Sequence, residues 1–284
     1  MTKRLFKRPI KRVVVKLGSS QIADYSMKPR TAQVRALAKQ ISQLHQKGIE
    51  VVLVSSGAIV LGMGELGESI RPKELSALQA RAAIGQALLM RVYSELFKKS
   101  GLKCAQVLLT WDDFDNRTRF VNARHTLEAI LKEGVIPIIN ENDTISTDEI
   151  KFGDNDKLSA LVATCIHADL LVILSDVEGF YNPKDKKVFK NIEEITPQIL
   201  TMSSGTANIQ VARGGMDTKL KAIQAATHAH IACIITAGNI TNVLPRLVAG
   251  EQLGTYFIEK KDKLLDGDLE HEYIRSHFKN SKSR

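Results

Sequence analysis

Val13-Val-Val-Lys16-Leu-Gly18-Ser19-Ser20 is the stretch on which the fold reading turns. A run of β-branched residues without polar alternation fits a strand buried on both faces, as in a parallel sheet covered by helices. The strand ends in a lysine, then turns through glycine into small hydroxyl residues. Glycine lets a backbone approach a phosphate with no Cβ in the way. A lysine at a strand's carboxyl edge stands where open α/β sheets bind ligands. On this stretch alone, a lysine snorkelling from a strand end into solvent would read the same.

Working outward, the pattern recurs. Apolar runs predict strands at 13–17, 51–55, 104–109, 135–139, 170–174 and 231–236. Between them, helical periodicity covers 31–47, 73–99, 122–132, 156–167 and 218–229. This alternation predicts an α/β protein: a three-layer α/β/α sandwich with a mostly parallel central sheet. Two stretches break the rhythm. Residues 140–153 join polar groups to a short alternating pattern that suits a hairpin, and 191–215, rich in Ser, Thr, Gly and Asn, suits a flexible loop near a site. The expected organisation is a basic N-terminal arm at 1–12, a body at 13–258 and a charged C-terminal tail at 259–284.

Bulk properties bound the function classes. With 284 residues, 44% hydrophobic and 25% charged, the chain has the composition of an ordinary globular protein. No apolar run reaches the eighteen residues of a membrane span, and the basic N-terminus lacks the apolar core of a secretory signal. Lys3, Arg4, Lys7, Arg8, Lys11 and Arg12 account for six of the nine net positive charges, so the excess belongs to the arm, expected to be solvated. Cys104, Cys165 and Cys233 are far apart, odd in number and set in apolar stretches. They read as buried free thiols in a reducing, cytoplasmic compartment, with no metal spacing among them.

Four further motifs carry chemistry. Val51-Val-Leu-Val-Ser55-Ser56-Gly57-Ala58 feeds a buried strand into a small-residue turn, where backbone N–H groups suit an anion. Ile139-Asn140-Glu141-Asn142-Asp143, and then Gly153-Asp154-Asn155-Asp156-Lys157-Leu-Ser159, hold far more acidic and amide groups than the single one a helix cap needs. Surplus polar residues next to buried elements are costly unless they bind something. Arg213-Gly214-Gly215-Met216-Asp217-Thr218-Lys219 places glycines ahead of a helix with a lysine on its first turn, a plausible phosphate cradle that is no Walker A sequence. Leu174-Ser175-Asp176 ends another strand. Gly62-Met-Gly64-Glu-Leu-Gly67 fits GxGxxG literally but follows a helical segment, so a dinucleotide fingerprint is set aside.

VVKLGSS, SSGAI, INEND, GDNDKLSA and GGMDTK stand in the order and approximate spacing of the amino-acid kinase family, and resemble its glutamate-phosphorylating branch across roughly 10–258. The resemblance implies transfer of the ATP γ-phosphoryl to the glutamate side-chain carboxylate, the first step of proline biosynthesis. It implies catalytic roles for Lys16, Asp156 and Lys219, with Asp156 holding the two lysines in place. Substrate binding falls to Ser56, Gly57, Asn140, Asp143 and Asn155. Nucleotide binding falls to Lys16, Gly18, Ser175, Asp176, Arg213, Gly214, Gly215, Met216, Asp217, Thr218 and Lys219. An acceptor lobe at 13–168 and a nucleotide lobe at 169–258 follow from it.

The cofactor set it implies is ATP with Mg²⁺ held mainly on the phosphates and no protein metal site. As partners it implies a homo-oligomer (dimer or tetramer) and functional coupling to glutamyl phosphate reductase, with no membrane and no nucleic acid. Departures are Ser175 where the family often has Thr, Arg213 at a Thr-like position and Asp217 at a Ser-like one. Relatives commonly carry a C-terminal PUA domain of RNA-binding type, which this sequence is expected to lack. Two alternatives stay open here: a family member acting on aspartate, N-acetylglutamate, carbamate or a phosphorylated small molecule, and a basic nucleic-acid-binding or regulatory protein without catalysis. A carboxylate panel discriminates the first. Against the second, no RNP-type aromatic motif or zinc finger is present and aromatics are 5%.

Overall fold

The computed structural model describes residues 6–146, 155–204, 215–260 and 267–278. Eight strands form one sheet: β1 (Arg12–Leu17), β2 (Glu50–Ser55), β3 (Cys104–Leu109), β4 (Ile136–Glu141), β5 (Leu170–Ser175), β6 (Asn191–Ile192), β7 (Ala232–Ala237) and β8 (Thr255–Phe257). Their order is β3-β4-β2-β1-β5-β7-β8-β6. Every pair from β3 to β7 is parallel, β8 runs antiparallel to β7, and β6 is parallel to β8. The α/β class with a mostly parallel sheet is therefore as the sequence predicts.

Strand periodicity sorts the core. On one face Val14, Val52, Val54, Ile139, Leu171 and Ile173 pack with α6 (Arg117–Lys132), α7 (Asn155–Cys165) and α9 (Met216–His228). On the other, Val13, Val15, Val51, Leu53, Leu170 and Val172 pack with α2 (Thr31–His45), α4 (Leu75–Lys98) and α10 (Val243–Val248). Both strand faces are thus apolar, and each buried Val, Leu or Ile is worth about 1.5–3 kcal/mol of transfer. The remaining helices are α1 (Ser19–Ile22), α3 (Ala58–Glu65), α5 (Trp111–Asp115), α8 (Pro197–Ser204) and α11 (Gly267–Phe278). From β1 the chain builds outward to β2, and from β5 outward to β7 on the opposite side. The β1–β5 junction is the reversal point, and the ligand crevice of such sheets opens at its carboxyl edge.

Several expectations need correction. All six predicted strands form, but β6 and β8 were not foreseen. They are only two and three residues long, and β6 lies inside the segment expected to be loop, as does α8. α6 begins five residues ahead of the expected start, at a cap in which the Asn116 side chain accepts from the Arg119 N–H. Residues 6–12 touch the body at several points, although Lys7, Arg8, Pro9 and Lys11 are exposed. Arg12 opens β1 and pairs with Glu50 at 2.6 Å, Arg8 donates to the His230 carbonyl at 2.7 Å, and Phe6 packs edge-on against Tyr256. The C-terminal segment carries α11, in which Ile274 is fully buried and Tyr273 donates to the Ala225 carbonyl at 2.7 Å. His167, the last residue of the helix expected at 156–167, instead occupies a left-handed position just after α7, as His230 does after α9.

Gly62 and Gly64 of the GxGxxG string serve packing, and Gly67 takes a left-handed turn at φ 67°. A Cβ on Gly62 would meet the Arg81 carbonyl oxygen at 2.0 Å, and one on Gly85 would meet that of Ala58 at 1.7 Å. Glycine on both helices lets α3 and α4 approach backbone to backbone. The thiols of Cys165 and Cys233 are buried and that of Cys104 half-buried, all unpaired with one another. Among the described residues no helix is long and apolar enough to cross a membrane.

Candidate active site

Lys16 shares its strand face with Val14, so its side chain leaves β1 toward the layer of α7 and α9. Asp156 is in the first turn of α7 and Lys219 in that of α9, both at the carboxyl edge of the sheet. Strand parity and helix starts therefore bring three residues, distant in sequence, to one point. Lys16 Nζ lies 2.5 Å from Asp156 Oδ1, and Lys219 Nζ lies 2.9 Å from Asp156 Oδ2. All three are buried, at 5%, 0% and 7% exposure for Lys16, Asp156 and Lys219. Each carboxylate oxygen faces one ammonium, and the two ammonium groups stand beside two helix N-termini. That combination favours an anion.

The backbone around this cluster has room for one. Gly18 has φ −71° and ψ 162°, and Gly215 has φ −60° and ψ 164°. Neither conformation demands glycine. Among the described residues, a Cβ on Gly18 would find nothing closer than Ser20 Oγ at 3.8 Å, and one on Gly215 nothing closer than the Asp217 nitrogen at 4.0 Å. Two glycines that packing among the described residues does not require, one two residues after Lys16 and the other four before Lys219, suit a phosphate chain lying against bare backbone. Of the other predicted nucleotide residues, Ser175 closes β5, and its carbonyl accepts the Gly238 N–H at 3.0 Å. Asp176 accepts from Ser20 Oγ at 2.9 Å and Gln21 Nε2 at 2.8 Å, tying the Gly18 turn to the end of β5. Thr218 Oγ1 donates to the Gly215 carbonyl at 2.8 Å, and Asp217 pairs with Lys221 on the exposed side of α9, whose first residue is Met216. Arg213 and Gly214 lie outside the described residues.

On the β2–β4 side the predicted acceptor residues also converge. Asn155 Nδ2 donates to the Ser55 carbonyl at 2.8 Å, to Ser56 Oγ at 2.9 Å and to Asn140 Oδ1 at 2.8 Å. Gly57, at φ 107°, takes a backbone angle that strains any L side chain, and so turns β2 into α3. Asn140 is engaged at both ends, its oxygen by Asn155 and the Glu141 N–H and its nitrogen by Gln86 at 2.9 Å. It therefore stands behind Asn155. Asp143, half-buried, lies in the turn after β4, which is anchored by the Asn142 N–H donating to the Leu109 carbonyl.

Three supports escaped the sequence reading. Tyr93 on α4 meets Ser55 Oγ at 2.8 Å, and burial pushes its phenol pKa well above the ordinary value. Lys157 lies over the Trp111 ring, 3.9 Å from its centroid, and pins the start of α7 to α5. Gln86 is the third. A tyrosine or glutamine on a buried helical stripe is the only signal the sequence offers for such roles.

Among the described residues no group of three or more His, Cys, Asp or Glu could hold a metal. Residues 11–237 match the model of the Amino acid kinase family. Similar proteins include the glutamate 5-kinase of Syntrophotalea carbinolica, 47% identical over 88% of this chain and 68% of the relative. Those of Caldanaerobacter subterraneus and Geobacter metallireducens are each 43% identical, over 89% and 90% of this chain and 69% and 70% of their own lengths. With a family match over most of its length and relatives of this identity and coverage, the chain belongs to the amino acid kinase family.

Proposed function

We propose that this chain transfers the γ-phosphoryl of ATP to the side-chain carboxylate of glutamate, forming glutamyl 5-phosphate at the start of proline biosynthesis. The observation that carries the reading is the buried Lys16–Asp156–Lys219 cluster at the sheet's reversal point. The glutamate 5-kinase relatives supply the acceptor.

The chemistry explains why such a site suffices. A glutamate side chain has a pKa of about 4.3, so the nucleophile is already ionised at neutral pH and needs no general base. The obstacle is an anion approaching a polyanion. Lys16 and Lys219 offset charge on the transferring phosphoryl group, while the fully buried Asp156 fixes both ammonium groups in direction. Positioning and preorganised charge supply most of the catalysis in this reaction class. Gly18 and Gly215 leave room for the phosphates. Mg²⁺, held on the phosphates, supplies further charge neutralisation when bound. Ser56 and Asn155 orient the acceptor, and Asp143 takes its α-ammonium, because a cationic group needs an anionic partner. The Arg213–Lys219 loop and Ser175–Asp176 border the nucleotide.

In this reading the acceptor half (13–168) and nucleotide half (169–258) meet between β1 and β5 of a single sheet. The enzyme works in the cytoplasm as a homo-oligomer that passes a labile acyl phosphate to glutamyl phosphate reductase. The test is ATP-dependent hydroxamate formation with glutamate, aspartate and N-acetylglutamate in parallel. Glutamate alone is expected to support rapid turnover. Preference for another acceptor overturns the substrate, and no turnover with any overturns the kinase reading.

A further inference from the structure

At the acceptor end of the cleft, a line of side-chain amides has its orientations fixed from one end. The Ser55 carbonyl can only accept, so the Asn155 atom 2.8 Å from it is the amide nitrogen. That nitrogen faces Asn140 Oδ1 at 2.8 Å, which also takes the Glu141 backbone N–H at 2.9 Å. Asn140 must therefore turn its nitrogen away, and Nδ2 donates to Gln86 Oε1 at 2.9 Å. With its oxygen committed, Gln86 ends the line in an NH₂ group. This Nε2 is closed off from solvent and has no hydrogen-bond acceptor among the described residues. Flipping Gln86 would set one NH₂ against another, so the line cannot relieve itself. Buried donors without partners are rare, and such a donor at the edge of a binding site points to an acceptor that arrives with a ligand.

Its place in the fold says which one. Gln86 follows Gly85, whose Cα backs onto the Ala58 carbonyl, so this turn of α4 passes directly beside the Ser56-Gly57-Ala58 turn. Asn140, its partner, is on β4, and β2 separates β4 from the Lys16 strand. The Gln86 donor is therefore on the β4 side of the Asn155–Asn140 line, with β2 between it and the Lys16 strand. Within the reading above, on which this inference rests, that side holds the amino-acid moiety, whose acceptor-only group is the α-carboxylate. We propose that Gln86 is a specificity-determining residue whose amide N–H donates to the α-carboxylate of the acceptor amino acid.

The experiment compares wild type, Gln86→Met and Gln86→Glu, using glutamate and its α-carboxamide (isoglutamine) as acceptors in the hydroxamate assay. Gln86→Met removes the donor and should raise the glutamate KM on the order of tenfold, with the ATP KM within twofold. Gln86→Glu keeps an oxygen for Asn140 but sets an anion against the carboxylate. It should raise the glutamate KM on the order of a hundredfold and narrow the glutamate-to-isoglutamine ratio of kcat/KM at least tenfold, since a carboxylate accepts from the α-amide. Gln86→Glu that is no worse than Gln86→Met, or an unchanged acceptor ratio, overturns the proposal. Should Gln86→Met fail to fold, the ratio for Gln86→Glu decides by itself. Wild-type protein that does not phosphorylate glutamate overturns the underlying reading instead, a result distinct from either variant outcome.

Discussion

At the β1–β5 end of the cleft, position is held by charge: Lys16, Asp156 and Lys219 sit within 2.5–2.9 Å contacts and almost out of water. At the β2–β4 end it is held by neutral amides, Asn155 to Asn140 to Gln86, each bond at 2.8–2.9 Å. The two devices answer different problems. Buried ion pairs gain little net stability, because desolvation offsets their attraction. What the charged cluster provides is a fixed field for charge that moves during phosphoryl transfer. The amide line carries no net charge and so does little to a moving charge, but its donors and acceptors are directional. It reads the shape and hydrogen-bonding pattern of a ground-state substrate. Rate should reside at one end and acceptor recognition at the other.

The largest break in that comparison is Asp156→Ala. It leaves two ammonium groups buried together without their shared counterion, a change that costs about 3–5 kcal/mol on the scale of broken buried pairs. Thermal melting should fall clearly, and kcat by roughly a thousandfold, combining lost orientation with lost charge placement. A stable variant with near-normal turnover would remove Asp156 from the account. At the other end, Asp143→Ala should raise the glutamate KM by on the order of tenfold to a hundredfold while leaving the ATP KM nearly unchanged, as expected for a lost hydrogen bond to a charged group. An unchanged glutamate KM rejects its assignment to the α-ammonium.

Glycines sharpen the contrast between packing and binding. Gly18→Ala meets no atom of the described residues nearer than 3.8 Å, so melting should hold or rise slightly while the ATP KM increases about tenfold. Gly85→Ala drives a methyl into the Ala58 carbonyl at 1.7 Å and should lower stability by about 1–3 kcal/mol or more. If Gly18→Ala binds ATP normally, the backbone there is not a phosphate cradle. The smallest effect concerns Tyr93. Burial raises its pKa, so the phenol ionises more readily in the unfolded chain. Its stabilisation is whole below about pH 10 and is lost as pH climbs above that value. Tyr93→Phe should therefore flatten the alkaline fall in melting temperature, leaving a residue from Tyr273, whose pKa burial also raises.

How much of this was legible in the sequence follows from length and context. β1, β2, β5 and β7 announce themselves because strands buried on both faces read as unbroken apolar runs. β6 and β8 do not, since two or three residues give no periodicity, and β8 also reverses the sheet's direction. Lys16, Asp156 and Lys219 were visible as charges placed at the ends of apolar elements, where burial makes a charge expensive and so informative. Gln86 was not, because glutamine is an ordinary helix former and one polar residue in the long α4 stripe of Leu78, Ala82, Leu89 and Tyr93 looks incidental. Its meaning comes from Asn140, 54 residues away, and appears only once the sheet brings the two together.

The most direct measurement is kcat for glutamyl hydroxamate formation, at saturating ATP-Mg²⁺ and glutamate, in Lys16→Ala, Lys219→Ala and the double variant. If both ammonium groups act on one transferring phosphate, each single change should lower kcat by roughly a hundredfold or more, and the double should fall far short of the product of the two, as residues acting as a unit do. Turnover near wild type in either single variant, or losses that simply multiply, would contradict the shared site.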